Sequence, residues 1–367
     1  MRIALDKVFK FASKFLAACF ASLFVLATSL IIILFNVENT LLNAGTYKGA
    51  LVSNNVYGQL PMLAMGETEQ IKSLLADPGG SGSENWDFID DFTSKDWQRL
   101  FSLILPPDEA RSMVEAMLNQ VFATLNGETD SAQLSLTGLK TRLTGQAGKD
   151  AIQYLQNTQA ACTENQLEQI HSEKPAVPET PVFCKPEQED LALLTSQWQE
   201  QVNSTAAGFP DEVVILSASE HPDTTAPGND PIARLNTVRL EIRLSPLLPL
   251  ILLALITLLM VRTLKSWLLW WGLPFFVTGL IALEIGLAIP VLLNLVWVHI
   301  LLPQFPSGLS AGMLGLARNV ANSVAQALAT PIKVEAGILG LLGLAAFIGS
   351  FFGEFNDPSK KPFFQPK

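Results

Sequence analysis

Two parts of this chain cannot remain in water, and they leave few folds open. The segment FLAACFASLFVLATSLIIILF lies within the apolar run Phe11–Phe35, and Leu247–Phe355 is apolar over most of its length. About twenty apolar residues at ~1.5 Å each cross a ~30 Å hydrocarbon core. A backbone in lipid must satisfy its own hydrogen bonds, so runs of this kind fold as helices. Between them, Val37–Pro246 has the composition of a water-exposed protein.

The first run follows the basic residues Arg2, Lys7, Lys10 and Lys14. Its apolar length exceeds that of a signal-peptide core, and the following LFNVEN lacks a small-residue cleavage site, so it reads as an uncleaved anchor. A second run, Leu247–Val261, continues to Leu264 and carries Pro246 and Pro249 in its first turns, where proline is tolerated. The third, Trp267–Leu302, is too long for one straight span. Trp267, Trp270 and Trp271 read as an interfacial belt, and the span proper as about Leu273–Ile300, with kinks expected near Pro274 or Pro290. The last span, Ile338–Phe352, begins near Val334 and is rich in small residues that permit close helix packing.

Basic residues flank these runs at the N-terminus, at Arg262–Lys265 and at Lys360, Lys361 and Lys367. With four spans all three groups fall on one side, expected to be the cytoplasm. The termini are then cytoplasmic. Residues 1–36 form the N-terminus and first span, 37–246 an extracytoplasmic domain, 247–353 three further spans, and 354–367 a tail. A fifth span, made by splitting the third run near Glu284, would move Lys360 and Lys361 to the other side.

Charge separates the same two regions. Val37–Pro246 holds 13 Lys and Arg against 29 Asp and Glu, while the remainder of the chain is net basic. So acidic a segment is repelled by nucleic acid, and nucleic-acid binding is not expected. Cys19 lies in the first apolar run. Cys162 and Cys184 both lie in the acidic segment, where an extracytoplasmic setting makes a disulfide the economical expectation. A metal site is not expected there, because each cysteine stands alone and His171 is the only nearby histidine.

Within the acidic segment, Asn39–Leu60 reads as a continuation of the first helix that breaks at Pro61. Asp77–Asn85 reads as a loop. Helices are expected over Lys95–Leu105 behind Ser94 as cap, and over Pro107–Asn126, where Met113, Met117, Val121 and Leu125 make an apolar stripe closed by Gly127. Further helices are expected at Leu139–Leu143 and Gly148–Thr158, and behind Thr163, whose spacing from Gln166 fits a capping box. Lys174–Pro181 is a proline-rich link. Pro186–Asn203 presents Leu191, Leu194, Trp198 and Val202 on one face. Gln133–Leu136 and Val213–Leu216 read as short strands, Ser219–Asp230 as a loop, and Pro231 as a helix start. Asn203-Ser204-Thr205 fits a glycosylation acceptor.

Glu284 is the most pointed single residue. An ionisable group within a span costs about 2.5–3.5 kcal/mol and so faces other helices or water, which makes it a functional candidate. Its bland alternative is a protonated, hydrogen-bonded carboxyl, or a position at a break between two helices. Asn294 and His299 lie further along the run, His299 reading as an anchor beside Trp297. In Gly308–Thr330, Leu309, Met313, Leu316, Val320, Val324 and Leu328 share a face largely opposite Arg318, Asn319, Asn322, Ser323 and Gln326. That pattern reads as an amphipathic helix on the bilayer or against protein. No nucleophile–base pair, metal motif or phosphate loop stands out, so neither an enzyme nor a cofactor is expected; His171 and His221 sit in polar, loop-like segments.

One span, a large outer domain and then three spans resemble in topology the FtsX-type and MacB-type permease subunits of bacterial ABC systems. The likeness carries no motif, and it departs at Arg262–Lys265, where those families have a longer cytoplasmic segment. LPPDEARSMVEAMLNQVFATLNGETD and ACTENQLEQI are similar to stretches of uncharacterised bacterial membrane proteins. The expected architecture is mainly α: four transmembrane helices, with a mostly helical extracytoplasmic domain inserted between the first and second. The expected role is a non-enzymatic envelope protein that binds a protein partner, scaffolds or senses through that domain. The alternative is a transporter, channel or permease subunit that uses Glu284.

Overall fold

The structure, a computed structural model, describes residues 2–60, 93–171, 184–217, 231–305 and 309–352. It is mainly α. In chain order the elements are α1 (Arg2–Leu41), α2 (Ala44–Ser53), α3 (Ser94–Ile104), α4 (Pro107–Leu125), β1 (Ser131–Ser135), α5 (Thr137–Thr144) and α6 (Gln146–Thr158). Then follow α7 (Glu164–His171), α8 (Leu191–Gly208), β2 (Glu212–Ser217), α9 (Pro231–Leu244), α10 (Leu247–Met260), α11 (Leu264–Val296) and α12 (Ala311–Phe352). The loops expected at Asp77–Asn85, Lys174–Pro181 and Ser219–Asp230, with His221, Pro61 and the tail lysines, lie outside the described residues.

The chain divides into two units. One, the helical unit, comprises Met1–Thr46, Ala226–Ile300 and Ala321–Lys367; the other, the acidic unit, comprises Tyr47–Thr225 and Leu301–Val320.

Four helical stretches are long and apolar enough to cross a membrane: Phe11–Leu41, Arg234–Met260, Leu264–Gln304 and Ala311–Phe352. In the helical unit the usual burial pattern is inverted. Leu26, Leu258, Val291 and Leu341 are 65–81% exposed, whereas Gly272, Gly279 and Gly343 are buried. Lipid, as apolar as leucine, suits such a surface, and contact between helices then depends on small residues. Gly272, Gly279 and Gly286 recur every seventh residue on α11. Added side-chain carbons there would strike the Phe347 amide at 2.6 Å, the backbone of Gly340, and the Lys333 stem at 3.0 Å, respectively. The two backbones therefore touch at glycine, and α11 and α12 pack as a pair.

The long third run is one helix. α11 continues through Pro274 and Pro290 for 33 residues before a π-helical turn at Trp297–Leu301. A helix of that length spans ~50 Å, so part of it extends beyond a ~30 Å hydrocarbon layer unless steeply tilted. The segment expected to form a separate amphipathic helix at 308–330 instead runs unbroken into the last span as α12, 42 residues long, with Pro331 inside it. Trp270 and Trp271 pack against Phe24, Leu252, Leu253 and Ile256, so the tryptophan belt is also core. Trp271 donates to Thr257 Oγ1 at 3.0 Å, closing the tight α10–α11 hairpin.

In the acidic unit β1 and β2 pair antiparallel, Ser131 opposite Ser217 and Ser135 opposite Glu212, with a bulge between Ala132 and Gln133. Helix α3 starts one residue earlier than expected. Thr93, not Ser94, is the cap, because Asp96 three residues on returns a bond to the Thr93 amide at 2.9 Å and completes a capping box. The Thr163–Gln166 box forms as expected. Helix α8 begins at Leu191 rather than Pro186. On α4 the fully buried residues are Ala110, Phe122 and Thr124, while the expected Met113–Leu125 stripe is half-buried. Phe122 rests on Tyr47 with ring centroids 5.1 Å apart.

Two polar devices hold the small helices together. Arg142 donates to the carbonyls of Leu103 and Ile104 at 2.9 and 3.0 Å, satisfying orphan acceptors at the end of α3. Tyr154 donates to Asp96 Oδ1 at 2.7 Å, joining α6 to α3. The Thr93 hydroxyl first, and then Tyr154, hold the Asp96 carboxyl below the usual carboxylate range. Burial and the bond to Asp96 push the Tyr154 phenol up to about 12. Asp96→Asn is expected to cost about 1 kcal/mol at pH 7. Because the folded Asp96 titrates low, its contribution is present at neutral pH and lost as pH falls through that lowered value. Melting curves of variant and wild type should therefore converge in acid; a constant gap would rule out this linkage.

Candidate functional site

Four contacts set the long helices in register. Phe24 of α1 meets Phe275 of α11 with ring centroids 5.5 Å apart. Glu38 of α1 accepts from Arg243 Nε of α9 at 2.9 Å. Asn36 Nδ2 of α1 donates to Glu335 Oε2 of α12 at 2.9 Å. Gly286 of α11 lies against Lys333 of α12. Helices α1 and α11 thus run parallel, with α10 and α12 antiparallel to them.

That register gives each residue a depth. Lys265 to Glu284 and Phe352 to Lys333 are each about 19 residues, or ~28 Å of helix; Met260 to Arg243 is ~26 Å and Lys14 to Asn36 ~33 Å. Three of the long helices are apolar over about one hydrocarbon thickness and then reach polar residues at a matching depth, a polar layer, whereas α11 carries Glu284 at that depth and stays apolar to Leu302. The layer consists of Asn36, Glu38, Arg239, Arg243, Glu284, Lys333 and Glu335. Two of its members are 4% and 7% exposed, Asn36 and Glu38. Buried polar groups of this kind survive through their partners: Asn36 also donates to the Ile32 carbonyl at 2.8 Å, and Glu38 holds a guanidinium.

Glu284 sits on an exposed face of α11 at this layer and makes no hydrogen bond or ion pair among the described residues. Counted from Lys265, it lies about midway along the apolar stretch, which runs on to Leu302. Asn294 and His299 are exposed further along. Of the stripe residues Leu309, Met313, Leu316, Val320, Val324 and Leu328, Leu316 is buried and the others half-buried, while Arg318, Asn319 and Gln326 are exposed. Asn322 and Ser323 of the expected polar face are half-buried like the stripe, and from Met313 on the stripe lies in the first half of α12.

Cys162 and Cys184 form a disulfide with Cα atoms 4.8 Å apart. Cys184 is 2% exposed and packs with Ile170 and Leu194, bordered by Leu167 and Trp198. His171, next to this cluster in sequence, pairs with Asp190 at 3.2 Å. Cys19 is a free thiol on the exposed face of α1. Asn203 of the acceptor sequence lies within α8 and accepts from Gln199 at 2.9 Å.

Sequence reasoning singled out Glu284 and passed over Asn36, Glu38, Arg239, Arg243, Lys333 and Glu335. The missing signal was their shared distance from the opposite ends of their runs. Comparison with models of known families, with curated proteins and with solved structures finds no match for this chain.

Proposed function

We propose that the chain is a non-enzymatic, multi-pass protein of a bacterial cell envelope. In this reading its acidic unit lies outside the cytoplasm to bind a protein partner, scaffold or sense, and both termini are cytoplasmic. The observation that carries it is the Cys162–Cys184 bond, which closes inside the acidic unit while Cys19 on an apolar helix stays free. Disulfides persist in oxidising compartments, so the bond supports placing that unit beyond the membrane. The net basic flanks of the apolar helices favour the same orientation. Supporting a role in attachment, α1 leads directly into the acidic segment and α9 leads back from it to α10, so both ends of that segment continue into apolar helices.

Labelling tests the placement. In a Cys19→Ala background, a membrane-impermeant reductant followed by an impermeant maleimide polymer should add two labels to the chain in intact cells. Labels that appear only after the cells are permeabilised would refute the orientation. A partner bound through the acidic unit should co-purify in mild detergent and be lost when that unit is removed.

A permease role draws on the exposed carboxylate of Glu284 at the polar layer. On that reading another chain covers Glu284, and solute- or proton-dependent flux in liposomes disappears in Glu284→Gln. Flux that is unchanged in the variant removes Glu284 from any such path.

A further inference from the structure

We infer that Arg243, oriented by Glu38 and reinforced by Arg239, forms a binding site for the phosphate group of a lipid headgroup. The site lies where α9 meets α10. The Arg243 side chain is 69% exposed even though Glu38, 7% exposed, engages its Nε at 2.9 Å. A guanidinium has five N–H donors in a fixed fork. The bond to Glu38 uses one, and the Nη groups have no partner among the described residues.

Four leucines lie within five residues of Arg243 along the chain. Leu240, Leu244, Leu247 and Leu248 are 51–59% exposed, a surface suited to lipid tails. Arg243 stands ~26 Å of helix from Met260, where the apolar stretch Arg234–Met260 ends just before Arg262, and this puts it about one hydrocarbon thickness away, at the headgroup level of the leaflet opposite Arg262. Donors left open at that level meet phosphate oxygens, the acceptors a guanidinium fits in a two-pronged grip. Arg239, one turn earlier on α9 and 8% exposed, adds a second positive charge on the same side. Glu241, two residues before Arg243, falls on the opposite side of the helix, and Glu335 is engaged by Asn36. Glu38 is a positioning residue: it fixes one edge of the guanidinium and leaves the other outward.

Native mass spectrometry of the full chain in a non-ionic, phosphate-free detergent tests the site, with phosphatidylglycerol and the phosphate-free diacylglycerol of the same tails as probes. Wild type should retain about tenfold more phosphatidylglycerol than diacylglycerol. Arg243→Gln should abolish that preference, Glu38→Gln should weaken it several-fold, and Arg262→Gln at the other end of α10 should leave it intact. If Arg243→Gln fails to fold, Arg243→Lys reads the site instead, since an ammonium keeps the charge but lacks the fork; several-fold loss is expected. Equal preference in wild type and in the folded Arg243 variant would overturn the inference. So would displacement of the lipid by millimolar inorganic phosphate, which would assign the site to a free anion.

Discussion

Replacing Gly279 with leucine should dismantle the packing of α11 on α12. A side chain at this position would run into the backbone of Gly340 and meet the Ala336 carbonyl at 2.7 Å. No rotamer can relieve a clash with backbone, so one helix must move away from its neighbour. Overpacking in a close-fitting core costs about 1–3 kcal/mol when side chains can yield, and this site belongs at or above the top of that range. Gly337, two turns from the contact with Gly272 and with open space around it, is the control. Gly337→Ala should melt within about 0.5 kcal/mol of wild type in detergent. A Gly279→Leu protein as stable as wild type would mean that the helices do not meet at glycine.

The second large effect concerns the acidic unit. Removing the Cys162–Cys184 bond, by reduction or by substituting both residues with alanine, should destabilise that unit by roughly 3 kcal/mol. The bond closes a loop with a sequence separation of 22, and much of its worth lies in restricting the unfolded chain. Packing adds to this, since Cys184 is 2% exposed among Ile170 and Leu194, and truncation leaves a cavity. Hydrogen exchange should report the loss first at α7 and α8, which flank the bond. Unchanged protection of both helices after reduction would show that the bond is ornamental.

The four apolar helices were legible because lipid imposes a single requirement, length without charge, that composition reveals directly. The start of α4, the end of α6 and the Thr163 cap were also legible, since proline, glycine and capping residues act locally, while α6 starts two residues before the expected Gly148. Tertiary contacts were not. Nothing near Ser131 announces Ser217 as its partner, and the inward polar residues of α8, Thr195 and Gln199, look like surface. They are buried because Thr195 bonds Gln156 and Gln199 bonds the Leu143 carbonyl, at 3.2 and 3.1 Å. Thr93 was missed as the cap of α3 because Ser94 has the same chemistry, and only Asp96 at the right distance chooses between them.

The polar layer was hidden for a related reason. Glu284 drew attention as a charge inside an apolar run, whereas Asn36, Glu38 and Arg243 lie at run ends, where polar residues are ordinary. Their common depth emerges only when four helices are aligned through contacts such as Phe24–Phe275 and Asn36–Glu335. The continuity of α12 through Pro331 was hidden as well. A proline removes one helical bond, but packing along α12 carries the helix past it, joining the amphipathic stretch to the last span.

Alkaline carbonate extraction of membranes containing the full chain tests the foundation of this account most directly. Phe11–Leu41, Arg234–Met260, Leu264–Gln304 and Ala311–Phe352, if they live in lipid, keep the chain in the membrane pellet at high pH and release it only to detergent. A chain that passes into the carbonate supernatant, monodisperse and without detergent, would contradict it.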